Sequence, residues 1–295
     1  MTNSASATRP GIVAGASRSD VVSRLAIEVT IILGVPDAAE LARFYERAYA
    51  EDPAASARHA RWRALGAVGK AEHVIALCRR AGIDAHSTLE VGCGDGALLC
   101  ELRARGFGGR LHGVEISQAA VAIARARPEI DAVTLYDGAH LAAASGTYQL
   151  GILSHVLEHV PDPEALLREA ARACEAVAVE VPLEANWSAR RARRRSRAAA
   201  IGHLQRLSRR DMRGLVDRAG LRAECELEDP LPRSVHVFFA SGARARALGT
   251  AKWALRASLH RVAPGLARRL FTVHYACLCL PAGWQRTAAA PAPGP

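Results

Sequence analysis

The chain has 295 residues, half of them hydrophobic, and a formal net charge of +10. This supplies a buried core for one medium α/β domain with added segments, or for two small domains. None of the seven cysteines forms a CxxC pair, and several lie in apolar patterns, so a reduced cytosolic protein with buried thiols fits better than a disulfide scaffold.

Residues 1–36 begin with a Ser/Ala/Thr/Gly-rich stretch expected to be disordered, followed by Val21 to Val35, a strand or packing arm. Arg24 and Glu28 make that apolar stretch too charged and too short to span a bilayer. The N-terminus lacks the order of charge, apolar run and small-residue site of a signal peptide, so no membrane association and a cytoplasmic location are expected.

Residues 37–86 read as a helical cap, with Leu41, Phe44, Tyr45 and Ala48, then Trp62, Leu65 and Val68, at helical spacing. Residues 87–240 alternate strand and helix. Strands are expected at Thr88–Val91, Leu111–Ile116, Ala132–Leu135, Leu150–Ser154 and Ala176–Val181. Ser117 can cap the helix from Gln118, Asp162 with Pro163 the helix that runs to about Cys174, and Ser208 the helix over Arg209–Ala219. Leu221–Leu227 and Val235–Ala240 read as an antiparallel pair at the sheet edge. Residues 241–286 form an expected Arg-rich helical extension, and 287–295 a Pro/Ala tail expected to be disordered. The class that results is α/β: a Rossmann-like, mostly parallel sheet with an antiparallel edge strand, an N-terminal helical cap and a C-terminal helical extension.

Gly92, Gly94 and Gly96 follow a strand and precede a helix, where a ligand must approach the backbone closely. Glu115 ends the next strand, 19 positions after Gly96, and a carboxylate there can bind the hydroxyls of a ribose. A dinucleotide site would use GxGxxG with helix-terminal amides facing a pyrophosphate. Here Glu90 and Asp95 would repel phosphates and suit a ligand with an ammonium and a sulfonium, so the charge pattern selects S-adenosylmethionine (SAM) over NAD.

The run Thr88-Leu-Glu-Val-Gly-Cys-Gly-Asp-Gly96 resembles motif I of the class I SAM-dependent methyltransferases. Leu111-His-Gly-Val-Glu-Ile-Ser117 resembles the motif that follows it, and Asp137-Gly138 matches the position that contacts adenine. Ser154-His-Val-Leu-Glu-His-Val-Pro-Asp-Pro163, Gly202-His203 and Leu207-Ser-Arg-Arg-Asp-Met212 are similar to the small-molecule and ubiquinone-methyltransferase branch. The resemblance covers about residues 60–240; Gln149 departs from it, standing where the family often has Asp. It implies a cofactor site of Glu90, Gly92, Cys93, Gly94, Gly96, Glu115, Ile116, Asp137, Gly138, Ser154 and His155. It also implies methyl transfer to an O or N atom of a small molecule, in specialised metabolism.

His155, Glu158 and His159 follow the fourth strand at i, i+3 and i+4, which places them on one face of a helical turn. His155, His159 and His203 are the candidate catalytic residues, His155 as a general base or positioning group. Two other readings stand beside this one: a divalent metal on His155, Glu158 and His159, and a purely structural brace. The same five residues match the H-x-x-E-H peptidase signature, but they sit at a strand end behind a cofactor loop. Arg61 or Lys70 of the cap could pair with the SAM carboxylate, with surface charge as the competing role. His236 reads as a core histidine in a strand. The insert Ala189–Ala200, whose arginines run from Arg190 to Arg197, could bind an anionic acceptor or RNA, or be a solvated helix. A non-catalytic SAM-binding or RNA-binding module is therefore the alternative outside enzymes. No Asp/Asn-Pro-Pro-aromatic motif or Pro-Cys nucleophile is present, which argues against nucleic-acid base methylation.

Overall fold

A computed structural model describes residues 38–283 apart from 51–52, 192–197 and 199–200. The expectations for residues 1–36, for most of the arginine run and for the Pro/Ala tail lie outside the described residues. Two helices come first, α1 (Ala38–Tyr49) and α2 (Pro53–Ala81). Then follow β1 (Ser87–Val91), α3 (Ala97–Ala104), β2 (Arg110–Glu115), α4 (Gln118–Arg125), β3 (Ala132–Leu135) and β4 (Tyr148–Ser154). A 3-10 turn, Leu157–His159, leads to α5 (Pro163–Ala173) and β5 (Cys174–Pro182). The chain ends with α6 (Arg209–Arg218), β6 (Leu221–Asp229), α7 (Arg233–Val237), α8 (Gly242–Val262), α9 (Pro264–Leu270) and β7 (His274–Pro281).

The strands form one sheet in the order β3-β2-β1-β4-β5-β7-β6. Strands β1 to β5 pair in parallel, and β7 runs antiparallel to both β5 and β6. The central strands have apolar residues on both faces, as a sheet covered on both sides requires. Ala176, Ala178, Ala276 and Leu278 face one core with Val74 of α2 and Leu99 of α3. Val177, Val179, Tyr275 and Cys277 face the other with Leu167 of α5 and Met212 of α6. All seven cysteines are free thiols, and Cys277 and Cys279 are fully buried in β7.

Local capping follows the sequence. Ser117 accepts from the Ala120 amide, Asp162 accepts from Ala165 with Pro163 in the first turn, and Ser208 and Asp211 form a capping box on α6. Glu46 of α1 adds a second layer at α4, accepting from Ser117 Oγ at 2.8 Å and the Ala119 amide at 3.1 Å. This contact lays the cap across the carboxyl ends of β1 and β2.

Two expectations need correction. Val235–Ala240 is not a strand: Pro232 starts the short helix α7, and Phe238 and Phe239 pack on Trp62 of α2. The partner of β6 is β7, which lies inside the stretch expected to be wholly helical. Its sequence, His-Tyr-Ala-Cys-Leu-Cys-Leu-Pro, is a short apolar run with no alternation, because both of its faces are buried. The helical extension accordingly ends at Leu270, and the chain returns to fill the sheet between β5 and β6.

Candidate active site

A cavity of about 1160 Å3 opens at the carboxyl ends of β1, β2, β4 and β5, between the sheet and the cap. Open α/β sheets bind ligands at this place, and the volume exceeds the usual range for a single small ligand.

The glycine turn forms its floor. The amides of Gly92 and Cys93 both donate to the Val114 carbonyl, so the loop is tied to β2. Gly94 has φ +54°, and a Cβ there would strike the Tyr49 hydroxyl of α1, so a side chain is excluded by conformation and by space. Gly96, also left-handed at φ +76°, lies beneath Ile130 and does not line the cavity. Its role is to let α3 start closely packed.

Glu115 behaves as a preset acceptor. Its Oε1 accepts from the Ile116 and Ser117 amides at 2.8 and 3.1 Å, and its Oε2 from the Gly94 amide at 2.9 Å. Oε2 therefore keeps capacity for a ligand hydroxyl. Glu90 is 4% exposed, lines the cavity, and leaves Oε2 without any hydrogen bond. Burial pushes its carboxyl up to about 8; the Lys70 ammonium pulls it down, while Asp95 and Glu115 add to the rise. An orphaned, buried acid of this kind fits a cationic ligand group.

Asp95 departs from the expected role of a free anion. It is 2% exposed and bound by Arg63 at 2.8 Å, with Arg127 at 3.5 Å. The Arg63 guanidinium also stacks 4.8 Å over the Tyr49 ring. Arg63, rather than the exposed Arg61, is the cap arginine that reaches the cavity, and Lys70 lines it as well. Asp137 is turned to its own loop, its Oδ1 accepting from the Ala139 and His140 amides at 2.7 Å each. Tyr136, Gly138 and Ala139 form the cavity wall at that point, not the Asp137 carboxylate. Cys93, Ile116, Ser154, His155, His159 and His203 all line the cavity, and Ser154 Oγ is buried without a partner.

His155 does not share an α-helical turn with Glu158 and His159. It sits at φ +59°, a left-handed conformation rare for a side-chain-bearing residue, and its amide donates to the Glu180 carbonyl at 2.8 Å. Its Nδ1 lies 2.9 Å from Glu158 Oε1, and its Nε2 3.2 Å from His274 Nδ1 and 3.5 Å from Glu180 Oε1. Among the described residues, the groups whose donor atoms converge are His155-Glu180-His274 and Glu158-His159-His203, not the His155-Glu158-His159 set of the alternative metal reading. Glu180, His274, His73 and Asp229 are wall residues that the sequence reading missed. His73 joins the last two carboxylates, 3.2 Å from Glu180 Oε2 and 3.4 Å from Asp229 Oδ2. No local motif marks these four, because three strands and α2 bring them together.

The histidines differ in environment. Burial would lower His155, and Lys70 with it, but Glu158 and Glu180 raise it above the ordinary imidazole value. Burial drives His159 down to about 4, so it is neutral at pH 7. Its Nδ1–H donates to the Gly202 carbonyl at 3.1 Å, which leaves the lone pair on Nε2. The ring stacks edge-on with His203, whose Nδ1 lies 2.8 Å from Glu184 Oε2. Burial would raise Glu158, but His155, His159 and His203 bring it down to about 2. His236, expected in a core strand, lies instead on α7 with its Nδ1 on the Pro232 carbonyl. Of the arginine run, Arg190 and Arg191 are described, and Arg191 stacks 4.4 Å over the exposed Trp187.

The sheet order, the glycine turn after β1 and the acid ending β2 define a Rossmann-like protein built to hold a nucleoside-bearing cofactor. A model of the methyltransferase-domain family matches residues 38–226. The chain belongs to that family, the class I SAM-dependent methyltransferases. It is 31% identical over 147 residues to the ubiquinone biosynthesis O-methyltransferase of Thiobacillus denitrificans. The match spans 46% of this chain and 58% of that protein, little more than half the relative's length. A SAM-dependent methyltransferase from Thermotoga maritima shares the fold at 14% identity and a TM-score of 0.54, over 81% of this chain and 99% of that one. So does the geranyl diphosphate C-methyltransferase of Streptomyces coelicolor, at 14% identity and a TM-score of 0.53, over 72% and 77% of the two chains.

Proposed function

We propose that the protein transfers a methyl group from SAM to an oxygen or nitrogen atom of a small molecule. One observation carries this reading above the rest. One cavity joins two unlike ends: buried acceptors at the glycine turn, Glu90 and Glu115, and a wall of histidines and carboxylates that includes His155, Glu180 and His274. Its volume accommodates a cofactor and an acceptor together.

SAM, when bound, supplies an electrophilic methyl group on a sulfonium centre. The protein's part is to hold and align. Glu115 takes a ribose hydroxyl, and Glu90 receives the ammonium group. Arg63, stacked on Tyr49, is placed for the carboxylate at the same end. Tyr45, Trp62 and Leu65 from the cap, with Leu231 and Val235 from the β6–α7 segment, enclose the acceptor and exclude water. His159 lines the cavity with a lone pair on Nε2, so it accepts a hydrogen bond from the acceptor and orients it, while a value near 4 makes it a weak base at pH 7. Of the two roles expected for His155, general base or positioning group, its two flanking carboxylates favour positioning.

Among the described residues no helix is long and apolar enough to cross a membrane. The concave, side-chain-lined cavity supports a small acceptor over a nucleic acid. Calorimetry with SAM, S-adenosylhomocysteine and NAD tests the reading. Saturable binding of the first two is expected, and failure to bind them, or tighter binding of NAD, would overturn it. Methyl transfer from labelled SAM to phenolic and amine acceptor panels then identifies the acceptor atom.

A further inference from the structure

The geometry points to a site for one divalent transition-metal ion on His155 Nε2, Glu180 Oε1 and His274 Nδ1, with its remaining coordination position open to the cavity. The three atoms form a triangle with sides of 3.2, 3.2 and 3.5 Å. An ion bound tetrahedrally at about 2.0–2.1 Å has ligand atoms about 3.3–3.4 Å apart, whereas an octahedral magnesium at about 2.1 Å needs about 3.0 Å. The set of two imidazoles and one carboxylate also belongs to zinc-like ions rather than to magnesium or calcium.

The surroundings have the features of a ligand site. His155 directly follows β4, Glu180 lies near the end of β5, and His274 opens β7; Ser154 pairs with Glu180, and Pro182 with His274. The three donors are therefore set by the register of adjacent strands, a rigid support. Two of the three donors have a second partner that would orient them. His155 Nδ1 meets Glu158 Oε1 at 2.9 Å, giving a carboxylate–histidine pair behind the donor nitrogen, and Glu180 Oε2 meets His73 Nδ1 at 3.2 Å. Glu158 is 1% exposed and its Oε2 has no partner at all. The left-handed backbone at His155 is the strain that turns its ring toward His274. All three donors line the cavity, so a fourth ligand can come only from water or from an oxygen or nitrogen atom of a bound small molecule. A hydroxyl-bearing acceptor held there would be oriented and made more acidic.

This site differs from the His155-Glu158-His159 set that the sequence motif offered as an alternative. It lies in the cavity assigned above to methyl transfer, but its test reads metal binding alone. Full-length protein stripped with a chelator is titrated with Co2+ and with Zn2+, following the visible absorption of Co2+ and the heat of binding. The expected result is one ion per chain with a four- or five-coordinate Co2+ spectrum. His274→Ala, which is far from the sequence motif, should weaken binding by at least about 10–100-fold, as should His155→Ala. His159→Ala should leave it unchanged. Circular dichroism checks folding, and His274→Gln replaces His274→Ala if the latter does not fold. No Co2+ uptake by the wild-type protein would overturn the proposal. So would undiminished affinity in the folded His274 variant, or loss in His159→Ala alone. Binding of S-adenosylhomocysteine to the chelated protein is measured in parallel, so a failed metal site and a failed methyltransferase reading give different results.

Discussion

Glu90→Gln should uncouple cofactor binding from proton release. Glu90 is buried, has an unpartnered oxygen and is pushed up to about 8. About nine in ten copies are then protonated at pH 7. A ligand ammonium beside it returns the carboxyl toward its ordinary value of 4.5. Binding at pH 7 should therefore release about 0.9 of a proton, and affinity should rise by roughly tenfold per pH unit between pH 5.5 and 7.5. The effect on stability has the opposite sense. A carboxyl with a raised folded-state value contributes its full stability below 4.5 and loses it as pH climbs toward about 8. Glu90→Gln should thus stabilise the unliganded protein at pH 7.5 by roughly 2–4 kcal/mol, with no gain at pH 4.5. The assay is calorimetric titration with S-adenosylhomocysteine in two buffers of different ionisation heat, paired with urea unfolding across the same pH range. Affinity independent of pH in the wild type, or the same pH slope in Glu90→Gln, would refute the reasoning.

Glu115→Ala removes the acceptor of three backbone amides and the ribose ligand together, so it should cost roughly 2–4 kcal/mol of stability and most cofactor affinity; urea unfolding and calorimetry check both. Arg63→Gln should weaken S-adenosylhomocysteine binding by roughly 10–100-fold, since it leaves Asp95 with Arg127 alone and removes the charge beside Tyr49. Tyr45→Phe deletes a buried hydroxyl that has no partner, so stability should hold within about 0.5 kcal/mol or improve, while KM for the acceptor changes. Gly94→Ala should abolish cofactor binding, and adding Tyr49→Phe should restore only part of it, because the left-handed backbone remains strained after the hydroxyl is gone.

What the sequence disclosed was local. Ser117, Asp162 with Pro163, and Ser208 announce helix starts because a cap is made within three residues. The glycine turn and Glu115 are legible because one βαβ unit holds both. Long-range convergence left no such trace. Glu180 meets His73 across 107 positions and His274 across 94, and only the order β4-β5-β7 brings them to one wall. That order was hidden because β7 is apolar on both faces and follows two Arg-rich helices. Arg61 and Arg63 differ by two positions on one helix, and only the packing of that helix over the glycine turn decides which of them meets Asp95. The spacing of His155, Glu158 and His159 implied a helical face, but the left-handed turn at His155 sends its ring to the other histidine group.

The most direct test of the account is a structure of the full chain with S-adenosylhomocysteine. The account predicts the ribose on Glu115, the amino-acid end between Glu90 and Arg63, and the sulfur facing the wall of His155 and His159. Density for the ligand elsewhere, or a ribose that does not touch Glu115, would contradict it.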